Sequence, residues 1–263
     1  MKENINIVWL KRDIRTKDHE PFYIAENDKL NYLPIYIYEP SLINYPDSSL
    51  RHHQFTYYSL LDINRKLEKF NKKVIIFNQE AVDVFKFLND KFNLQNIYSY
   101  QETGIQKTWD RDTSLNLFFK SQNIQWKEFQ RDSVVRGIKN RKDWDKQWYT
   151  KMSSNTTENT FKKQTKLEFD NPFPLKNDFL EQLFIYPKEF QKAGETYAWK
   201  YLNSFCKDRG KNYSFHISKP TESRKSCGRI SPYLAWGNIS IKQAAQFVRN
   251  HPNYKNNKRS FNG

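Results

Sequence analysis

Ser226, Cys227, Gly228, Arg229, Ile230 and Ser231, followed by Pro232, set small and hydroxyl-bearing residues directly ahead of a Ser-Pro helix start. Free backbone N–H groups and the positive end of the helix dipole collect at such a start, which suits a phosphate group. Lys219, Arg224 and Lys225 lie just upstream and supply cations for phosphate on a ligand or on nucleic acid. Tyr213 precedes them. A second charged stretch, Lys11-Arg12-Asp13-Ile14-Arg15-Thr16-Lys17-Asp18, can form Arg–Asp pairs that pin a loop. The two cysteines, Cys206 and Cys227, lie far apart and fit no metal or redox spacing, so no metal is expected and both read as small packing residues.

The elements that must hold these residues read as two kinds. Residues 5–10, 33–38, 74–77, 96–100 and 124–129 are short apolar runs, as strands of a buried parallel sheet should be. Helical patterns at 21–28, 53–70, 80–92 and 109–121 alternate with them, which argues for an α/β doubly wound domain over residues 1–130. Ligands of such sheets sit at the carboxyl ends of the strands, at a topological switch point, and the charged stretch from Lys11 to Asp18 follows the first strand. Residues 131–175 read as an interdomain linker. It is basic at first, then carries Trp144, Trp148 and Tyr149, then a polar tract (153–160) expected to be loop or partly disordered. Helical patterns resume at 176–184, 190–206 and 230–249, so 176–263 is expected to be all-α.

Charge divides along the same line. Residues 1–130 carry 18 Lys/Arg against 17 Asp/Glu, and residues 131–263 carry 26 against 12, within a total of +15. A basic half interleaved with aromatics (Tyr197, Trp199, Tyr201, Tyr213, Tyr233) is the footprint of a polyanion site. The N-terminus has no signal-peptide layout, and no apolar run approaches the roughly 20 residues of a membrane span. A cytoplasmic protein without membrane attachment, and a monomer, is the expectation.

Several of these stretches together resemble one family. Val8-Trp9-Leu10-Lys11-Arg12-Asp13-Ile14-Arg15-x-x-Asp18 resembles the photolyase/cryptochrome signature V-W-F-R-x-D-L-R-x-x-D-N, with Leu10, Lys11 and His19 as departures. Gln101-Glu102-Thr103-Gly104 with Arg111-Asp112 looks like the region after the fourth strand of that family. Ala193-Gly194-Glu195-x-x-Ala198 resembles its G-G-E-x-x-A helix start, and 227–237 resembles T-S-x-L-S-P-Y-L-x-x-G, with Cys227-Gly228 in place of Thr-Ser.

The resemblance implies a five-stranded parallel sheet followed by an incomplete all-α FAD-binding domain. It implies FAD as cofactor, held by Tyr213, Ser226, Cys227, Gly228, Arg229, Ile230 and Ser231, and damaged DNA as partner, with Lys219, Arg224 and Lys225 as candidate DNA contacts. The implied reaction is light-driven splitting of cyclobutane pyrimidine dimers by reduced FAD. The residues of the electron relay and the lesion contacts would follow Gly263, so no catalytic residue is expected within the chain. No Asn-Glu pair for a folate antenna is evident near 105–111, and the antenna pigment stays unassigned. A cryptochrome-like photoreceptor without repair activity, or a truncated product that binds nucleic acid or a partner without catalysis, are the alternatives.

Overall fold

The computed structural model describes residues 2–261. Five parallel strands, β1 (Asn4–Leu10), β2 (Tyr32–Ile37), β3 (Ile75–Phe77), β4 (Asn93–Tyr100) and β5 (Gln125–Phe129), form one sheet in the order β3-β2-β1-β4-β5. The chain builds outward from β1 to β3, returns, and builds the other way, so the switch point lies between the carboxyl ends of β1 and β4. Helices α1 (Glu20–Asn27), α2 (Pro40–Ile43), α3 (Leu50–Leu67), α4 (Ala81–Lys91) and α5 (Gln106–Ser121) make the connections. The central strand is buried along its length after Asn4, as its continuous apolar run requires. Asn96, paired in register with Asn6, donates to the Asn6 side-chain oxygen at 2.8 Å, and the Asn6 amide nitrogen is left as a buried donor without a partner among the described residues.

Two apolar clusters cover the two faces of the sheet. One gathers Trp9, Phe77, Phe85, Ile97 and Phe119; the other gathers Leu10, Phe22, Tyr36, Leu60 and Leu67. The fold is therefore the doubly wound α/β arrangement that the alternating pattern predicts.

The segment after β5 departs from the sequence reading. Residues 144–153 form a helix, α6 (Trp144–Ser153), around an aromatic cluster that the composition left as connection. The polar tract beyond it is not a loose linker but an extended strap laid across the α/β unit. Asp18 and His19 bind it through Thr157 and Asn159, and Phe161 and Phe169 pack into the two sheet cores. The hydrogen bonds are made by backbone and by side chains from distant strand ends, which hydropathy along the chain does not register.

The remaining helices are α7 (Asn177–Phe184), α8 (Glu195–Ser204), α9 (Tyr213–His216), α10 (Pro220–Ser226), α11 (Ser231–Ala235), α12 (Ile241–Asn250) and α13 (Lys258–Phe261). The helix expected over 190–206 starts only at Glu195, because Gly194 has φ +103° and packs against Asp62, where a Cβ would come within 2.7 Å. The single helix expected over 230–249 is two. Gly237, at φ +67°, turns the chain so tightly against the first loop that a Cβ there would lie 2.2 Å from the Arg12 carbonyl. After the turn, Ser240 restarts the helix with a capping box to Gln243. A third core (Phe55, Leu202, Phe205, Tyr233, Ile239) holds this helical region together and, through Phe55 of α3, holds it to the α/β unit.

Candidate functional site

The charged loop after β1 lies at the switch point, and its side chains turn inward. Asp13 accepts a hydrogen bond from its neighbour His19 at 2.7 Å, with both side chains buried. The His19 Nδ1 accepts from the Phe22 N–H, so it caps α1 and leaves Nε2–H for Asp13. Burial alone would raise the Asp13 pKa, but the bond from His19, its charge and the Lys11 N–H bring it below the usual carboxylate value. Arg15 donates to the carbonyls of Asp18 (2.8 Å) and Gly237 (3.2 Å). Asp18 meets Lys242 at 2.9 Å and accepts from Ser240 at 2.5 Å.

The helix start of α8 completes the junction. Glu195 is buried and accepts from the Thr16 hydroxyl at 2.7 Å and from Lys66 at 2.8 Å. The motif residues Asp13, Arg15, Asp18 and Glu195 thus fasten the first loop within the α/β unit and to the helical region. The crevice that α/β sheets leave for a ligand is filled here by the chain's own loop and by the α11–α12 turn.

The open space lies beyond that junction. A cleft of about 1560 Å³ runs between the helical region and the start of α3. Of the residues picked out in the sequence, Tyr213, Arg224, Cys227, Gly228, Arg229, Ile230 and Ser231 line it. Ser226 does not. It is the last residue of α10, is buried, and spends its hydroxyl on the Glu222 carbonyl at 3.1 Å. Lys219 and Lys225 are exposed at the two ends of α10 and do not line the cleft.

The turn itself differs from a plain helix start. Arg229 is left-handed at φ +54° and Ile230 is right-handed, with φ −91° and ψ −16°. Successive residues of opposite hand point their N–H groups into one concavity, a nest that suits an anion. The N–H groups of Gly228, Arg229, Ile230 and Ser231 have no hydrogen-bond partner among the described residues. Their carbonyl sides are taken up instead. Arg209 donates to the carbonyls of Cys227 and Gly228 (3.2 Å to the latter), and Gln191 donates to that of Arg229 at 2.8 Å. Carbonyls tied behind the turn leave its donors free toward the cleft, which fits a phosphate-bearing cofactor. Arg209 and Gln191 were missed by motif matching because they touch backbone, for which sequence carries no pattern.

The other walls are aromatic and basic. Trp148 and Tyr149 of α6 stand beside Arg249 of α12, whose guanidinium lies 5.7 and 5.6 Å from their rings. Ala244, Ala245 and Val248 of α12 supply the small apolar surface between them. Arg51, Arg224, Arg229 and Arg249 line the cleft, and Glu189 is the one carboxylate residue among its described lining residues. The space is therefore suited to a planar, multiply anionic ligand.

The comparisons with known proteins bear on the family and the fold. The family model for DNA photolyase matches residues 6–168. The deoxyribodipyrimidine photo-lyase of Buchnera aphidicola subsp. Acyrthosiphon pisum is 23% identical over 254 residues, which cover 90% of this chain and 52% of that protein. The cryptochrome of Synechocystis sp. PCC6803 superposes with a TM-score of 0.75 at 20% identity, covering 100% of this chain and 58% of its own. The archaeal photolyase of Sulfolobus tokodaii, whose crystal structure contains two FAD molecules, gives 0.73 at 20% identity, covering 98% and 57%. The chain spans about half the length of the curated relative it matches. No helix among the described residues is long and apolar enough to cross a membrane.

Proposed function

Because this chain belongs to the DNA photolyase family, we propose that it binds FAD in the cleft beside 228–231 and serves the light-driven repair of cyclobutane pyrimidine dimers in DNA. The observation that carries the reading is the run of four unpartnered N–H groups on a nest at the cleft wall. Bound flavin, in its reduced form, would supply the electron that opens the dimer and would take it back once the ring has split.

The chain's own residues bind and orient. The nest holds the diphosphate, with Tyr213 and Cys227 beside it and Arg224 adding charge. Arg209 and Gln191 keep the turn in its binding shape from behind. Trp148, Tyr149 and the apolar face of α12 exclude water from the ring systems. Lys219 and Lys225 extend the positive surface toward the DNA backbone. The protein acts as a monomer in the cytoplasm. Its antenna pigment is unassigned.

Titration of the purified chain with FAD, followed by flavin fluorescence and by competition with ADP, tests the reading. Saturable uptake that ADP displaces is expected; no uptake at any FAD concentration overturns it. A photoreceptor without repair is the second reading, favoured by the fold match to the Synechocystis cryptochrome. Flavin uptake combined with dimers left intact under blue light would select it.

A further inference from the structure

The family motifs account for the junction but not for what stands at its edge. Arg12 occupies the open position of V-W-F-R-x-D, and Trp236 occupies an open position of S-P-Y-L-x-x-G. The tight approach of Gly237 to the Arg12 carbonyl brings the two together. The Arg12 guanidinium lies 5.4 Å from the Trp236 ring, and the His52 ring lies 5.9 Å from it on a different element. Arg51, next to His52 at the start of α3, leans on Phe190 at 5.8 Å.

Neither guanidinium has an ion pair or a hydrogen bond among the described residues, and both side chains are exposed. Burial holds the His52 imidazole below the ordinary value, and the charges of Arg51 and Arg12 add to this, opposed by Asp47. Gathering like charges from two separate segments costs free energy that a bound anion would return. Arg51, His52 and Trp236 line the cleft. The nest at 228–231 lies one short helix away, at the other end of α11.

We propose that Arg12 and His52, which stand against Trp236, together with Arg51 beside His52, form a phosphate-ester subsite separate from the nest. The ligand is a phosphate monoester or diester carried on a planar ring, for which guanidinium forks and an indole face are the matching chemistry. It could come from a free nucleotide or from a nucleic-acid strand entering the cleft mouth. The subsite does not depend on the flavin reading, since it shares no residue with the nest.

The test titrates the chain with adenosine 5′-monophosphate, with adenosine, and with a single-stranded oligonucleotide of about eight residues. Tryptophan fluorescence reports binding, and Trp236→Phe identifies the signal. The monophosphate is expected to quench it and adenosine is not. Arg12→Gln with Arg51→Gln should weaken monophosphate binding by about tenfold or more. Arg229→Val, which disturbs the nest, should leave it unchanged. The His52 titration, followed by NMR, should move upward with monophosphate bound, since an anion favours the imidazolium. Oligonucleotide that competes with the monophosphate marks a strand as the source, and monophosphate binding alone marks a free nucleotide. Equal binding of adenosine overturns the proposal. So does no effect of the double arginine variant, or loss of binding through Arg229→Val alone.

Discussion

Asp18 and Lys242 meet at 2.9 Å with side chains 4% and 9% exposed, 224 positions apart in the chain. Asp18 also accepts from Ser240 and from the Thr157 N–H, so one carboxylate joins the first loop, the strap and the start of α12. The wall of the cleft built by α12 is thereby set from the α/β sheet. Asp18→Ala leaves Lys242 buried without its partner, and the expected loss is about 3–5 kcal/mol. Asp18→Leu combined with Lys242→Met should recover only part of it, because the charges go as a pair while the Ser240 hydroxyl and the Thr157 N–H lose their acceptor and residue 18 keeps its left-handed φ of +50°. Urea denaturation of the three proteins checks both statements.

Acid should unfold the protein in a defined way. His19 and His53 are held below the ordinary histidine value, His19 mainly by burial against the opposing pull of Asp13, and His53 by burial and His52, down to about 4. A group with a depressed folded pKa binds protons more readily when unfolded, so its contribution is complete above about pH 6.5 and falls as pH drops. Asp13, also depressed, loses its contribution only below its unfolded value near 3.8. The midpoint of urea unfolding should be level above pH 7 and decline from 6.5 to 4. His19→Asn should reduce that decline and leave the part due to His53 and His52. A midpoint that rises on acidification would contradict the buried neutral tautomer of His19.

Gly237 leaves no room for any side chain. Gly237→Ala combines a left-handed backbone with a clash against the Arg12 carbonyl. The two effects together should cost about 2–5 kcal/mol. Thermal unfolding followed by circular dichroism measures it. Gly228→Ala, where a Cβ meets nothing closer than 3.9 Å and φ is not left-handed, serves as the mild control.

Arg229 separates backbone from side chain at the nest. Arg229→Gly keeps the left-handed turn and should keep FAD uptake. Arg229→Val forces a β-branched residue into φ +54° and should lower FAD affinity by about tenfold, from a cost of roughly 1–2 kcal/mol. Equal uptake by the two variants would show that the nest does not carry the phosphate.

The sequence by itself determined the sheet, because short continuous apolar runs and the helices that alternate with them state burial locally: the runs at 5–10 and 96–100 fall in strands β1 and β4. It also singled out a candidate phosphate turn, since small residues ahead of Ser231-Pro232 are a local pattern. Motif matching marked Asp13, Arg15, Asp18 and Glu195, and salt-bridge chemistry explained why such residues could pin a loop. Only the tertiary structure decided their partners. Lys242, Ser240, Thr16 and Lys66 are remote in sequence, and a buried ion pair is defined by where two chains of groups meet rather than by spacing. The same holds for the break at Gly237, a residue that reads as tolerable within a helical run until the Arg12 carbonyl occupies the place of its side chain. It holds for the strap at 155–176, where Thr157, Asn159, Gln164 and Asn171 bond to the first loop and to strands β2 and β3 while most of the other polar residues face solvent. And it holds for Arg12 beside Trp236, two positions that family motifs leave open and that one close backbone contact brings onto the same cleft.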